Sequence, residues 1–135
     1  MSAHHGTAGL TRNQALVFDA LTNAGSPLSA YTILDLLRAK GLRAPLQVYR
    51  ALDKLVEYGM VHRLESLNAF VACRHPGSGT HETMAFAICE KCGRVSELTD
   101  PELENQLRDL VDHIDFTMNK SVIEFRGCCH DCRPN

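Results

Sequence analysis

No stretch of this 135-residue chain approaches the roughly 18 consecutive apolar residues of a membrane span, so no membrane partner is expected. No charged-then-apolar segment opens it, which argues against a secretory signal. Internal repeats and low-complexity tracts are missing too, so neither a solenoid nor a polar disordered tail is expected. Charge of one sign is not abundant: 14 Lys and Arg stand against 16 Asp and Glu, a net charge of −2. No pairing of nucleophile with base is apparent, so an enzyme acting on a small organic substrate is not expected. What is there is 44% hydrophobic and 22% charged, the composition of a folded globular protein, with six cysteines and seven histidines. The expected compartment is cytoplasmic, where thiols stay reduced and metal ligation is a better reading of cysteine than disulfides.

The small net charge hides an asymmetry. Residues 1–75 hold eight Lys and Arg against five Asp and Glu, whereas residues 76–135 hold six against eleven. A basic half joined to an acidic half suggests two modules, of which only the first suits phosphate. In the first half, Thr11-Arg-Asn-Gln14 is a capping box with Leu10 at the staple position. It predicts a helix with Leu16, Val17, Ala20, Leu21 and Ala24 on one face, stopped by Gly25. Ser29 caps a second helix bearing Ile33, Leu34, Leu36 and Leu37, ending at Gly41. Pro45 opens a third, with Val48, Leu52, Leu55 and Val56 apolar, stopped by Gly59. Val61–Leu64 and Ala69–Cys73 then read as a short hairpin, the order of elements in a winged helix-turn-helix.

Arg74–Thr80 is rich in Pro, Gly and Ser and reads as a linker. Beyond it come strands at Met84–Ile88 and Val95–Leu98. A helix capped by Asp100 with Pro101 at its first position follows, with Leu103, Leu107, Leu110, Val111 and Ile114 on one face. Val122–Phe125 reads as a last strand. The expected fold is α+β: a winged-helix DNA-binding domain over 1–75, a hinge over 76–82, and a small α/β dimerisation and metal-binding domain over 83–135.

On a helical wheel, the third helix sets Gln47, Arg50 and Lys54 opposite its apolar row. A buried inner face with an outer row of Gln, Arg and Lys suits the major groove, where Arg bonds guanine and Lys neutralises phosphate. An ordinary solvated helix carries the same pattern. Tyr31 and Tyr49 are candidate DNA contacts or half-buried core aromatics, and Arg63 on the hairpin could reach the DNA backbone.

The strongest motif is Cys89-x-x-Cys92, then 36 residues, then Cys129-x-x-Cys132. A two-residue gap on a tight knuckle aims both sulfurs at one tetrahedral ion. Two such pairs supply four thiolates and leave no open position, which means structure rather than catalysis. A cross-link of this kind also supplies folding free energy to a segment too small to hold a large core. Zinc is the expected ion, since nothing suggests electron transfer. A redox dithiol is the alternative. Cys128 is a spare thiol that could replace Cys129, although only Cys129 keeps the spacing to Cys132. A softer constellation comprises His62 and Cys73 on the hairpin, His81 after the linker and Glu97 at a strand end. No short motif joins these four, and each could equally be packed or solvated.

The run from Pro45 to His62 (PLQVYRALDKLVEYGMVH), followed by Cys89-x-x-Cys92-Gly93 and Gly127-x-Cys129-x-x-Cys132, resembles the ferric uptake regulator family, and especially its zinc-sensing members. The resemblance runs from about Leu10 to Cys132. It implies a homodimeric winged-helix repressor that binds double-stranded DNA at a pseudo-palindromic operator when metal-loaded. It further implies structural zinc on Cys89, Cys92, Cys129 and Cys132, a sensing site of His62, Cys73, His81 and Glu97, and DNA contacts from Tyr31 and Arg50. From His81 to Cys89 the chain has one residue more than the zinc-sensing members, with Glu82 at the expected place, so Glu82 is the substitute ligand. For a third site, Lys120 and Ser121 stand where a histidine would, leaving His113 without an evident partner. The Cys73 thiolate favours zinc over the nitrogen and oxygen ligand sets of iron and peroxide sensors. Those sensors are one alternative; others are a zinc-ribbon interaction module without a DNA target and a thiol oxidoreductase.

Overall fold

The computed structural model describes residues 9–73 and 83–134. The residues before Gly9 and the hinge expected over 76–82, with His81 and Glu82, lie outside the described residues. The chain divides into two compact units, Met1–Thr80 and His81–Asn135.

The first unit is built by helices whose ends are written in the sequence. The α1 helix spans Arg12–Ala24. Thr11 Oγ1 accepts from the Gln14 amide at 3.2 Å, and Gln14 Oε1 accepts from the Thr11 amide at 3.1 Å. Two otherwise orphaned donors are thereby satisfied. Gly25 ends the helix at φ 65°, the left-handed conformation that glycine adopts at no steric cost. The α2 helix, Ala30–Leu37, is capped by the Ser29 hydroxyl, which accepts from the Thr32 amide. A 3-10 turn over Arg38–Lys40 finishes it. The α3 helix spans Pro45–Glu57, with Pro45 where a missing N–H costs nothing.

Val17, Leu21, Ile33, Leu34, Val48, Leu52 and Leu55 meet in the core of this unit. Leu36, expected on the buried face of α2, points outward instead. Ile33, Leu34 and Leu37 already fill the arc that faces α1 and α3, and no fourth position on so short a helix fits there.

The hairpin of β1 (Val61–Leu64) and β2 (Ala69–Ala72) is antiparallel, with His62 opposite Val71. An isolated bridge between Leu28 and Phe70, with amide-to-carbonyl distances of 3.0 and 2.8 Å, ties β2 back to the start of α2. Sequence reasoning missed this bridge, because one residue pair carries no periodicity.

The second unit is a three-stranded sheet in the order β4-β3-β5. These strands span Val95–Leu98, Thr83–Cys89 and Ser121–Gly127. Central β3 is the apolar one: Met84, Ala85, Phe86 and Ile88 are all buried, as expected of a strand flanked on both edges. β3 and β4 are antiparallel, whereas β3 and β5 are parallel. A parallel pair needs a crossover, supplied by β4 and the α4 helix, Pro101–Asp112. Asp100 Oδ1 caps α4 by accepting from the Glu102 amide at 3.0 Å. The apolar face expected of α4 is present, but no residue of the helix is fully buried, and Leu110 is exposed. The helix stops at Asp112, so Ile114 lies beyond it and is 72% exposed.

Candidate metal centre and nucleic-acid face

Parallel pairing of β3 with β5 carries both cysteine pairs to the same end of the sheet. Cys89 is the last residue of β3 and pairs with Gly127, the last of β5. The first knuckle then turns back. Gly93 takes φ 80°, and its amide donates to the Cys89 carbonyl at 2.9 Å. The Cys92 amide donates to Cys89 Sγ at 3.4 Å. The second knuckle is a 3-10 turn over His130–Cys132, closed by the Cys132 amide on the Cys129 carbonyl at 3.0 Å.

The result is a cluster in which the sulfurs of Cys89, Cys92, Cys129 and Cys132 all lie within 4.8 Å of one another. Cys92 Sγ and Cys129 Sγ are 3.7 Å apart. In a tetrahedron with metal–sulfur bonds of about 2.3 Å, the edge is about 3.8 Å. The spacing and donor set therefore fit a four-thiolate ion with no open position. Cys128 is exposed and is not one of the four. Two ion pairs stitch the knuckles together from outside. Arg94, after the first, reaches Asp131 in the second at 3.1 Å, and Arg126, before the second, reaches Glu90 in the first at 3.3 Å. All four side chains are more than half exposed, so each pair adds little stability alone. Their value is in holding the knuckles in one register.

The sulfurs do not titrate alike. The Cys89 thiol is pulled down to about 5, chiefly by the backbone amide of Cys92 and then that of Cys129. Cys132 is pushed up to about 12, chiefly by its hydrogen bonds with Cys129 and Cys89 and then by burial. Without an ion, four adjacent thiolates cannot all be charged, and Cys132 keeps a proton that the cluster shares.

In the first unit, His62 and Cys73 lie on one face of the hairpin. His62 pairs with Val71, and Cys73 is two residues further along, the diagonal neighbour. A ring nitrogen of His62 and Cys73 Sγ lie within 4.8 Å. Cys73 is buried and half-buried His62 sits at the strand's middle. In the second unit, Glu97 lies on β4 opposite Phe86 and is half-buried.

The helix α3 carries the residues expected to read DNA. Val48, Leu52 and Leu55 are fully buried, Arg50 is exposed on the far side, and Lys54 is exposed on the flank rather than opposite the core as the helical wheel sets it. Among the described residues Arg50 makes no ion pair. Lys54 pairs with Glu57 at 3.4 Å. Gln47 also serves the helix start, where its Oε1 accepts from the Arg43 amide at 2.7 Å and the Ala44 amide at 3.1 Å. Ala44 has no side-chain oxygen with which to cap the helix, and Gln47 supplies the reciprocal half of a capping box. Tyr31, at the start of α2, is 62% exposed; Tyr49 is half-buried against the core. Arg63 on β1 stacks over Phe70 at 5.9 Å and lies 3.6 Å from Glu65, which holds it near the hairpin turn.

Raising pH from about 6 to 8 should strengthen zinc binding at the four cysteines by at least about tenfold per unit, because filling the site expels the shared proton. Chelator competition at each pH measures it, and a flat profile would contradict the shared proton. Gln47→Ala should cost about 1 kcal/mol of stability through loss of the cap, read from urea unfolding, with Gln47→Glu close to wild type.

Comparisons with known proteins agree with one another. The ferric uptake regulator family pattern matches residues 9–126. The chain is 39% identical over 124 residues to the zinc uptake regulation protein of Escherichia coli (strain K12), covering 91% of this chain and 72% of that protein. Among solved structures it is similar to a zinc uptake regulator complexed with zinc and DNA. That match has a TM-score of 0.85 and 38% identity, over 90% of this chain and 81% of the other. It is also similar to holo XcZur, with a TM-score of 0.83 and 41% identity, over 90% and 84% of the two chains.

Proposed function

Since the chain belongs to the ferric uptake regulator family, we propose the following account of how it works. It is a zinc-responsive transcriptional repressor that binds promoter DNA as a homodimer when zinc-loaded. The observation that carries this is the joint match, in sequence and in fold, to zinc uptake regulators, one of them holding zinc and DNA. Its targets are promoters of zinc uptake genes, and it acts in the cytoplasm by binding rather than by catalysis. No helix among the described residues is long and apolar enough to cross a membrane.

Zinc serves in two places. Cys89, Cys92, Cys129 and Cys132 hold a structural ion, a role supported by the 3.7 Å sulfur spacing and the closed donor set. The regulatory ion is assigned to His62, Cys73, His81 and Glu97, with Glu82 as the substitute for His81. Support comes from the His62–Cys73 pair on the hairpin and from the soft thiolate, which suits zinc better than the harder iron. Two of these ligands precede the linker in sequence and two follow its Pro- and Gly-rich part. An ion that binds one arrangement of the modules best populates that arrangement, and in this way zinc supply sets the grip on DNA.

The partner copy is met by the second unit. Leu110, Ile114, Phe116, Val122 and Phe125 are all exposed there, and β5 is an edge strand. Exposed apolar side chains beside an open edge are what a self-complementary two-fold interface needs. Two reader helices related by that axis address two half-sites, with Arg50 aimed at base edges and Lys54, Tyr31, Tyr49 and Gln47 beside it.

Cys73→Ser should bind one zinc fewer per chain than wild type and lose zinc-dependent DNA binding by more than about tenfold. Metal analysis paired with a mobility shift on promoter DNA checks both. A variant that still binds DNA in a zinc-dependent way would remove Cys73 from the sensor, and an iron-driven shift would favour the iron-sensing alternative. Ile114→Asp, at a site that the single chain leaves mostly exposed, should sediment as a monomer and bind the operator weakly, with helix content unchanged.

A further inference from the structure

On α3 the row farthest from the core is not made of basic residues alone. With 100° per residue, Val48, Leu52 and Leu55 point inward and the opposite row is Leu46, Arg50, Asp53 and Glu57, spaced i, i+4, i+7 and i+11. All four are exposed, Leu46 to 57%. The row changes character along its length. Its C-terminal half is acidic, and the Asp53 and Glu57 carboxylates would meet phosphate with like charge. The first two turns of α3 are therefore the part best suited to a groove, the end from which a recognition helix reads bases, with Lys54 behind them to meet phosphate.

On those two turns Gln47 Oε1 is already tied to the Arg43 and Ala44 amides, which leaves only its Nε2 to donate to DNA. Leu46 and Arg50 then project farthest from the core, with half-buried Tyr49 to one side. A lone exposed leucine elsewhere would need no explanation. Here it stands one turn from the arginine aimed at the DNA, on the line of closest approach. Among base edges in the major groove, the thymine 5-methyl is the apolar group. We propose that Leu46 is a specificity-determining residue that packs on the 5-methyl of a thymine adjacent to the base met by Arg50. This rests on the DNA-binding reading above and adds to it which base the first turn selects.

The effect of one methyl contact is a factor of about four in affinity. The test begins with the zinc-loaded, full-length wild-type protein selecting duplexes from a randomised pool. The best duplex is then remade with each thymine in turn replaced by deoxyuridine, which lacks only the methyl group. Affinities for wild type and Leu46→Ala are read by fluorescence anisotropy, closing a double-mutant cycle. The expected result is one thymine per half-site at which wild type weakens about fourfold, while Leu46→Ala binds both duplexes alike. Because Leu46 lies outside the core, the variant should keep the wild-type zinc content and unfolding midpoint. Absence of any methyl-sensitive thymine, or an unchanged thymine-to-uracil ratio in Leu46→Ala, overturns the assignment and leaves DNA binding intact. Recovery of no duplex at all would overturn the DNA-binding reading itself.

Discussion

Convergence of four sulfurs at one end of a three-stranded sheet is the constraint on which the second unit depends. That unit buries few large side chains, with Phe86, Ile88, Met84 and Met118 the main ones. Its long helix has one face uncovered. A small segment with so open a core gains from a cross-link, and an ion held by the four sulfurs would supply one by joining the end of β3 to the turn after β5. Cys89 shows how closely this is woven into the strand pairing. Its amide donates to the Arg94 carbonyl while its sulfur faces the cluster, so ladder and ligand share one residue. Neither knuckle can shift without disturbing the other, and the flanking ion pairs of Arg94 and Arg126 oppose the same movement.

The first unit is constrained differently. Its three helices and hairpin share a dense aliphatic core that holds α3 by one face and leaves the other free. Rigidity on the inner side is what makes the outer side useful, because a reader helix gains from arriving already positioned. The Gln47 cap serves the same end. It fixes the first turn of α3 at the expense of one potential polar contact and sets which side chains can project.

Much of this is legible in the chain itself, for identifiable reasons. Helix starts at Thr11, Ser29, Pro45 and Asp100 rest on local chemistry within three residues, and each is visible without tertiary context. The paired Cys-x-x-Cys motifs are equally plain, since the spacing reflects the geometry of one ion. What escapes are features set by distant contacts. The outward turn of Leu36 depends on how α1 and α3 divide the available space, and the Leu28–Phe70 bridge joins residues 42 apart in sequence. The capping role of Gln47 is hidden for another reason: one residue type serves equally as cap or as reader, and the sequence does not say where Oε1 lies. Periodicity places Ile114 on the helix face, whereas the helix ends two residues earlier. His62 and Cys73 have no motif to connect them, and the hairpin register does so.

The parallel pairing of β3 with β5 has a consequence for the order in which the protein comes into being. During synthesis the first knuckle leaves the ribosome while the second, 36 residues behind it, is still being assembled. At about 5–20 residues per second that interval lasts about 2–7 s. For that time Cys89 and Cys92 form half a socket, able to hold an ion loosely but not to enclose it. Closure must wait for β4, α4 and β5, so an ion held by all four sulfurs could be enclosed only once the second knuckle has emerged.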